Sequence, residues 1–233
     1  MNVKVESHPK FPGVYRAIID EGTRLATENL VPGRIVYGEK LVKYKEKEYR
    51  LWDPYRSKLA ATILKGAKGI PVMPNSKVLY LGAASGTTAS HVSDIVGENG
   101  HVYCVEFAPR TMRELIENVC IYRKNMSPIL EDARLPERYL PMLEKVDVIY
   151  CDIAQPEQAK VVADNATLYL KNGGWIMLAI KARSIDVTKE PSEIYKREMK
   201  LLEESGFEIH EILHLEPYDR AHAMVIASYN KMT

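Results

Sequence analysis

Five apolar runs in this chain end in residues suited to hold a ligand. Val78–Leu81 passes into Gly82-Ala83-Ala84-Ser85-Gly86-Thr87-Thr88. Small residues there let the backbone approach a bound molecule, and the start of a following helix can hold a carboxylate. Ala84 stands where a G-x-G-x-x-G loop places the glycine that admits a pyrophosphate, so a ligand without phosphates fits better. The run His101–Phe107 carries Glu106, 24 residues after Gly82. A carboxylate at that place can accept from both hydroxyls of a ribose. Phe107 beside it can flank a base. Ser127–Leu130 leads to Glu131-Asp132-Ala133, where an acid can accept from an exocyclic amino group. Val146–Cys151 runs into Asp152-Ile153-Ala154-Gln155. An aspartate leaving a buried run is desolvated on one side and calls for a definite partner. Trp175–Ile180 ends in Lys181. Each feature alone also fits a bland reading: a tight turn, a solvated strand-end acid, a core aromatic. The order loop, acid, acid, acid, base is more specific than any member of it.

These runs must be positioned by something, and the pattern between them says what. Apolar runs of strand length alternate with helical stretches at Thr87–Val96, Pro109–Arg123 and Pro156–Leu170. Pro109 suits a first helical turn, and Lys171-Asn172-Gly173-Gly174 reads as helix-stop chemistry. Pro191–Ser205 reads as a further helix, with Gly206 as its stop. Strands joined by crossover helices imply a mainly parallel, doubly wound sheet. Ligands in such sheets bind beyond the carboxyl ends of the strands, where the five features fall. Phe207–Leu213 and Ala223–Tyr229 lack a helix between them and should pair antiparallel. Before residue 56 the pattern differs. Val14–Ile19, Arg34–Tyr37, Leu41–Tyr44 and Glu48–Leu51 are short β-like runs broken by Pro32-Gly33 and Gly38. The expected organisation is a small antiparallel unit over 1–55 and an α/β domain over 56–233, opening with a helix over Arg56–Ala67.

Composition sets limits. With 233 residues, 46% hydrophobic and 27% charged, the chain can bury a full core. The net charge is only +1, so any surface for nucleic acid must be local. From Arg34 to Lys58 eight basic residues face four acidic ones, with Tyr37, Tyr44, Tyr49 and Tyr55 interleaved. That stretch fits a phosphate-contacting surface or a solvated hairpin face. Cys104, Cys120 and Cys151 form no C-x-x-C pair, which speaks against a disulfide framework or a structural zinc. No apolar stretch approaches the roughly 18 residues of a membrane span, and Met1–Pro12 lacks a signal-type core. A cytoplasmic location and no membrane partner are expected.

Several blocks resemble a known family. Trp52-Asp53-Pro54-Tyr55-Arg56-Ser57-Lys58-Leu59-Ala60-Ala61, Asp152-Ile153-Ala154-Gln155-Pro156, Ile180-Lys181-Ala182 and Pro217-Tyr218-Asp219-Arg220-Ala221-His222-Ala223 look like the signature blocks of fibrillarin. Asn29-Leu30-Val31-Pro32-Gly33 and Val36-Tyr37-Gly38-Glu39 do as well. The resemblance covers nearly the whole chain and points to the archaeal form, since no Gly/Arg-rich tail precedes it. It implies a Rossmann-like class I methyltransferase with a seven-stranded mainly parallel sheet and a small N-terminal antiparallel β subdomain. It implies S-adenosylmethionine as cofactor, held by Ala84, Thr87, Thr88, Glu106, Phe107, Asp132, Ala133, Asp152, Ile153, Ala154 and Gln155, with no metal. It also implies a catalytic set of Lys58, Asp152, Lys181 and His222. By themselves Lys58 and His222 would read as a solvated lysine and a surface histidine. Eukaryotic members commonly carry Asp directly before that histidine; here it is Ala221, which leaves open what orients the ring.

The activity so implied is 2′-O-methylation of ribose in rRNA and tRNA within a box C/D ribonucleoprotein. Guide RNA would select the target, and a coiled-coil scaffold protein and a kink-turn-binding protein would complete the assembly. Three other readings compete. One is methylation of a protein glutamine. One is a metal-dependent small-molecule O-methyltransferase, disfavoured by lysines where metal ligands should stand. One is an RNA-binding subunit without turnover, disfavoured by the intact Lys58, Asp152 and Lys181.

Overall fold

The computed structural model describes residues 3–230. Its centre is a seven-stranded sheet in the order β11-β12-β10-β9-β6-β7-β8. The strands are β6 (Lys77–Leu81), β7 (His101–Glu106), β8 (Met126–Leu130), β9 (Val146–Cys151), β10 (Leu170–Lys181), β11 (Phe207–His214) and β12 (His222–Tyr229). The five strands β6 to β10 pair parallel, and β12 lies antiparallel to both β10 and β11. The parallel strands are apolar along their length because helices cover both faces. On β6, Val78 and Tyr80 point into one core cluster, Leu79 and Leu81 into the other. Helices α1 (Lys58–Leu64), α2 (Thr87–Val96) and α3 (Pro109–Asn118) pack on the first face, α4 (Gln158–Tyr169) and α5 (Pro191–Glu204) on the second.

A second, antiparallel sheet has the order β1-β2-β3-β5-β4. Its strands are β1 (Lys4–Ser7), β2 (Val14–Ile19), β3 (Gly22–Glu28), β4 (Leu41–Tyr44) and β5 (Lys47–Trp52). It has a small cluster of its own around Ala17, Ala26, Val42 and Tyr49. Phe11, Val14, Leu25 and Trp52 instead join the large core beneath α1 and α2.

Four expectations need correction. Arg34–Tyr37 is a loop, not a strand. Its backbone is held by side chains: the Glu39 carboxylate accepts from the N–H groups of Val36 and Tyr37, and Asn29 donates to the Arg34 carbonyl. With those groups satisfied locally, no strand partner is required. Strands β1 and β3 escaped notice because KVES and GTRLATE are largely polar. The segment 171–174 does not end a helix. It lies within β10, where the register to β9 shifts between Leu170 and Trp175 and Gly173 takes φ +74°. A bulge of this kind needs a residue free to adopt positive φ. Helix α1 is shorter than expected at both ends, because Ser57 caps it and Lys65 closes it.

Candidate active site

The strand order reverses between β6 and β9, and this crevice collects most of the five features. The Asp152 N–H donates to the Leu81 carbonyl at 2.9 Å, so the ends of β6 and β9 are tied together. Gly82 turns away with φ +81°. A Cβ there would lie 2.9 Å from the Asp152 carbonyl oxygen, so only glycine fits. Above this turn is a cavity of about 220 Å³. Glu106, Phe107, Asp132, Gln155 and Lys181 all line it. Ala84, Ala133, Asp152, Ile153 and Ala154 also face it. Of the eleven positions expected to hold a cofactor, nine line the cavity, and Thr87 and Thr88 do not.

Thr88 is buried, and its hydroxyl donates to Ser57 Oγ at 3.0 Å. Thr87 is half-buried at the start of α2. Ser57 in turn accepts from the Ala60 N–H as the N-cap of α1. The two threonines therefore mark the joint between the glycine turn and the helix that carries Lys58. Glu106 is fixed by accepting from the N–H groups of Ala84 (3.1 Å) and Ala108 (2.9 Å). Asp132 grips Arg134 with both oxygens, and this hydrogen bond holds its carboxyl below the usual range. Phe107 is 62% exposed, an open ring at the rim of the cavity.

At the inner edge of the cavity two lysines meet one aspartate. Lys181 Nζ lies 2.8 Å from Asp152 Oδ1 and donates to the Asp152 carbonyl at 2.8 Å. Lys58 Nζ lies 3.2 Å from the same Oδ1 and 3.3 Å from Oδ2. Asp152 Oδ1 is buried and receives no aligned hydrogen bond, so its contacts with both ammonium groups are ionic. Lys181 reaches this place because β10 pairs parallel to β9. Its opposite neighbour in the antiparallel register is His222 of β12. Strand pairing alone thus gathers three of the four expected groups, and the cap of α1 delivers the fourth.

Two residues that the sequence reading missed complete the site. Asp219 Oδ1 lies 2.8 Å from His222 Nδ1, and its Oδ2 lies 3.4 Å from Lys58 Nζ. It orients the histidine that Ala221 leaves unsupported. The Arg220 carbonyl lies 2.7 Å from the same nitrogen. Two acceptors at Nδ1 require the proton there, which turns Nε2 into the free nitrogen of the neutral ring. Burial raises the Asp219 carboxyl, but the hydrogen bond from His222 and the charge of Lys58 outweigh it and leave the carboxyl low. Burial likewise pulls Lys58 down, and the two carboxylates outweigh that and leave it raised. Lys58 is therefore a lasting ammonium. The second missed residue is Gln158, fully buried, whose amide donates to the Ile153 carbonyl (2.7 Å) and accepts from the Lys181 N–H (2.9 Å). It pins the loop after β9 to the end of β10. Asp219 had a sequence signal, an acid three residues before a histidine; Gln158 had none.

The basic stretch Arg34–Lys58 does not form one face. Arg50 and Tyr49 are buried, Lys40 and Lys47 pair with Glu21 and Glu28, and Arg34 stacks on Tyr122 at 3.2 Å.

With this geometry in hand, comparison with known proteins is decisive. The fibrillarin family model matches residues 5–231. The chain belongs to the fibrillarin family. A fibrillarin-like rRNA/tRNA 2′-O-methyltransferase of Methanopyrus kandleri is 58% identical over 231 residues, covering 99% of both chains. The structure of Aeropyrum pernix fibrillarin with natively bound S-adenosyl-L-methionine matches with a TM-score of 0.91 at 54% identity, covering 97% of this chain and 99% of that one. A fibrillarin in complex with Nop5p matches with a TM-score of 0.84 at 40% identity, covering 97% and 100%. The fold of the family, a Rossmann-like methyltransferase with an N-terminal β unit, is the fold described above.

Proposed function

We propose that this fibrillarin-family chain transfers methyl from S-adenosylmethionine to the 2′-hydroxyl of ribose in rRNA and tRNA. It acts as the catalytic subunit of a box C/D ribonucleoprotein, with guide RNA choosing the target. A coiled-coil scaffold protein and a kink-turn-binding protein complete the assembly. The observation that carries the reading is the convergence of Lys58 and Lys181 on Asp152 at the edge of the cavity. The relatives named above support it, one as an rRNA/tRNA 2′-O-methyltransferase, one with bound S-adenosyl-L-methionine and one in complex with Nop5p.

The residues suit the cofactor. Glu106 and Asp132 offer carboxylates for the ribose hydroxyls and the adenine amino group, and Phe107 offers a ring for the base. Gly82 keeps the turn open beneath them, and Ala133, Ile153, Ala154 and Gln155 supply the wall. Ala84 lines the same cavity, and Thr87 and Thr88 belong to the helix start behind it, which would hold a carboxylate. When bound, the cofactor supplies an electrophilic sulfonium methyl group.

The protein then has two tasks: alignment and removal of one proton. Alignment of two reactants is worth about 7–11 kcal/mol in well-oriented cases. Lys181 is the group placed to polarise the 2′-hydroxyl or to take its proton, and Asp152 holds its Nζ through both its side chain and its carbonyl. Lys58, kept charged between Asp152 and Asp219, is unsuited to accept a proton and suited to hold the ribose-phosphate. His222 presents Nε2 to the acceptor strand.

The test is transfer of labelled methyl to a guide-matched RNA with the partner proteins added and omitted. Label at one 2′-oxygen in the full assembly is the expected result. No label on RNA in either mixture, despite cofactor binding, would overturn the reading; label on a glutamine would replace it.

A further inference from the structure

Strands β9 and β10 run side by side only part of the way. Their parallel register ends at the pair Leu178 and Cys151. Beyond it β9 leaves: the Asp152 N–H turns to the Leu81 carbonyl of β6, and Ile153 moves off to line the cavity. β10 continues to Lys181, paired with β12 on its other side. The two chains thus form a fork, and both of its tips, Ile153 and Lys181, border the cavity. A backbone N–H at the end of β10 has no strand beside it there and needs another acceptor. Gln158 supplies it. Its amide oxygen accepts from the Lys181 N–H at 2.9 Å, and its amide nitrogen donates to the Ile153 carbonyl at 2.7 Å. A planar amide offers a donor and an acceptor, as a peptide unit does. The Gln158 side chain stands in for the next rung of the ladder between the diverging strands.

This rung closes a ring of contacts around the lysine. From the Lys181 N–H it passes through Gln158 to Ile153 and along the backbone to Asp152. It returns from the Asp152 carbonyl and carboxylate to Lys181 Nζ, each at 2.8 Å. The backbone and the tip of Lys181 are therefore both tied to residues 152 and 153. Gln158 is itself fixed. It is the first residue of α4 and fully buried, and the next N–H, that of Ala159, donates to the buried Glu198 carboxylate at 3.0 Å. The buried residues that follow it, Ala159, Val161 and Val162, are apolar. A buried amide costs free energy unless its bonds are made, so packing alone would call for an apolar side chain here.

We infer that Gln158 is a positioning residue for methyl transfer: its amide bridges the fork between β9 and β10 and sets the place of Lys181 against Asp152. The inference rests on the role given to Lys181 above. Gln158 does not line the cavity and acts only through Lys181. Loss of the rung should therefore be felt in the rate of transfer and not in the binding of RNA.

The experiment uses the full assembly with guide-matched RNA and measures the single-turnover rate of methyl transfer at saturating S-adenosylmethionine. Gln158→Met keeps the length of the side chain and loses both bonds. Gln158→Glu keeps an acceptor for the Lys181 N–H. The methionine variant is also made in a Lys181→Ala background. Gln158→Met lowers the rate about 10- to 100-fold, the range of a displacement of about 1 Å remote from the chemistry, and leaves RNA affinity within severalfold. Gln158→Glu lies closer to wild type than Gln158→Met. In the Lys181→Ala background the methionine change adds little, because a residue that acts through Lys181 has nothing left to place. A wild-type rate for Gln158→Met, a Gln158→Glu loss as large as that of methionine, or the same fold loss with and without Lys181 would each overturn the inference. So would a Gln158→Met protein that does not fold, which would assign the amide to stability alone. Wild type that labels no RNA, or Lys181→Ala that labels it at a near-normal rate, would bring down the functional reading itself, a result distinct from these.

Discussion

Two ion networks, one built on α2 and the other reached from α2 through Thr88 and Ser57, are built differently. One lies between the small sheet and α2. Arg50 meets Glu39 at 2.7 Å and Asp94 at 2.9 Å, and Arg123 meets Asp94 at 2.6 Å. These side chains are 0–3% exposed. Thr27 and the Leu30 N–H also donate to Asp94, and Ser90 accepts from Arg50. His91 sits among them, held neutral chiefly by burial and then by the two arginines. The other network is Lys58, Lys181, Asp152, Asp219 and His222, with side chains 16–31% exposed. The dry network uses arginines, whose planar fork fixes several bonds at once and never gives up its proton. The wet one uses lysines, which can exchange a proton and keep a donor free for a ligand. A balanced set of charges with every bond made holds parts together. A set left partly open to water is ready for chemistry.

This contrast can be broken in both directions. The largest effect should come from Lys181→Ala. Turnover should fall about 10²–10⁴-fold, the usual range for a positioned acid or base. Cofactor affinity should stay within severalfold, as titration of S-adenosylmethionine would show, and near-normal turnover would remove Lys181 from its role. Asp94→Ala should act the other way round. It strands two buried arginines, a loss of about 3–5 kcal/mol. At about 2–4 °C per kcal/mol for a chain of this size, the calorimetric midpoint should drop by about 6–20 °C. The rate per folded molecule, assayed well below that midpoint, should be nearly intact. Arg50→Lys should cost about 1–3 kcal/mol, because one ammonium cannot reach Glu39, Asp94 and Ser90 together; a midpoint equal to wild type would show that charge alone matters there.

The smallest effect concerns Asp219→Asn. Stability should fall by less than about 1 kcal/mol, because the pair is partly exposed. The sign of its pH dependence is fixed. The folded carboxyl lies below the ordinary aspartate value of 3.8, so the stabilisation is present above that pH and is lost as pH falls through the lower folded value. The difference in midpoint between wild type and Asp219→Asn should therefore be steady at neutral pH and vanish on acidification below 3.8. A difference that persists in acid would mean that the asparagine perturbs packing instead.

Much of the site was legible in the chain because strand ends in a doubly wound sheet are a topological necessity. Glu106, Asp132, Asp152 and Lys181 each follow an apolar run, and the fold carries all four to the rim of one cavity. The small sheet was read less well. Its edge strand β1 and hairpin strand β3 are too polar to announce themselves, and Arg34–Tyr37 looked extended although Glu39 winds it into a loop. The threonines after Gly86 were placed against the cofactor by resemblance, whereas Thr88 bonds Ser57 and joins two helices.

The sequence by itself determined the alternation of strands and helices, the glycine turn after β6 and the reactive group at each strand end, because these depend on local periodicity and on residue type. Only the tertiary structure decided what those groups touch. Lys181 faces His222 through the register of β10 and β12, Asp152 stands between two lysines 94 and 29 residues away, and Asp219 links Lys58 to His222 across the ends of separate elements. Such contacts depend on which strands are neighbours and how they are aligned, and no window of sequence contains that information.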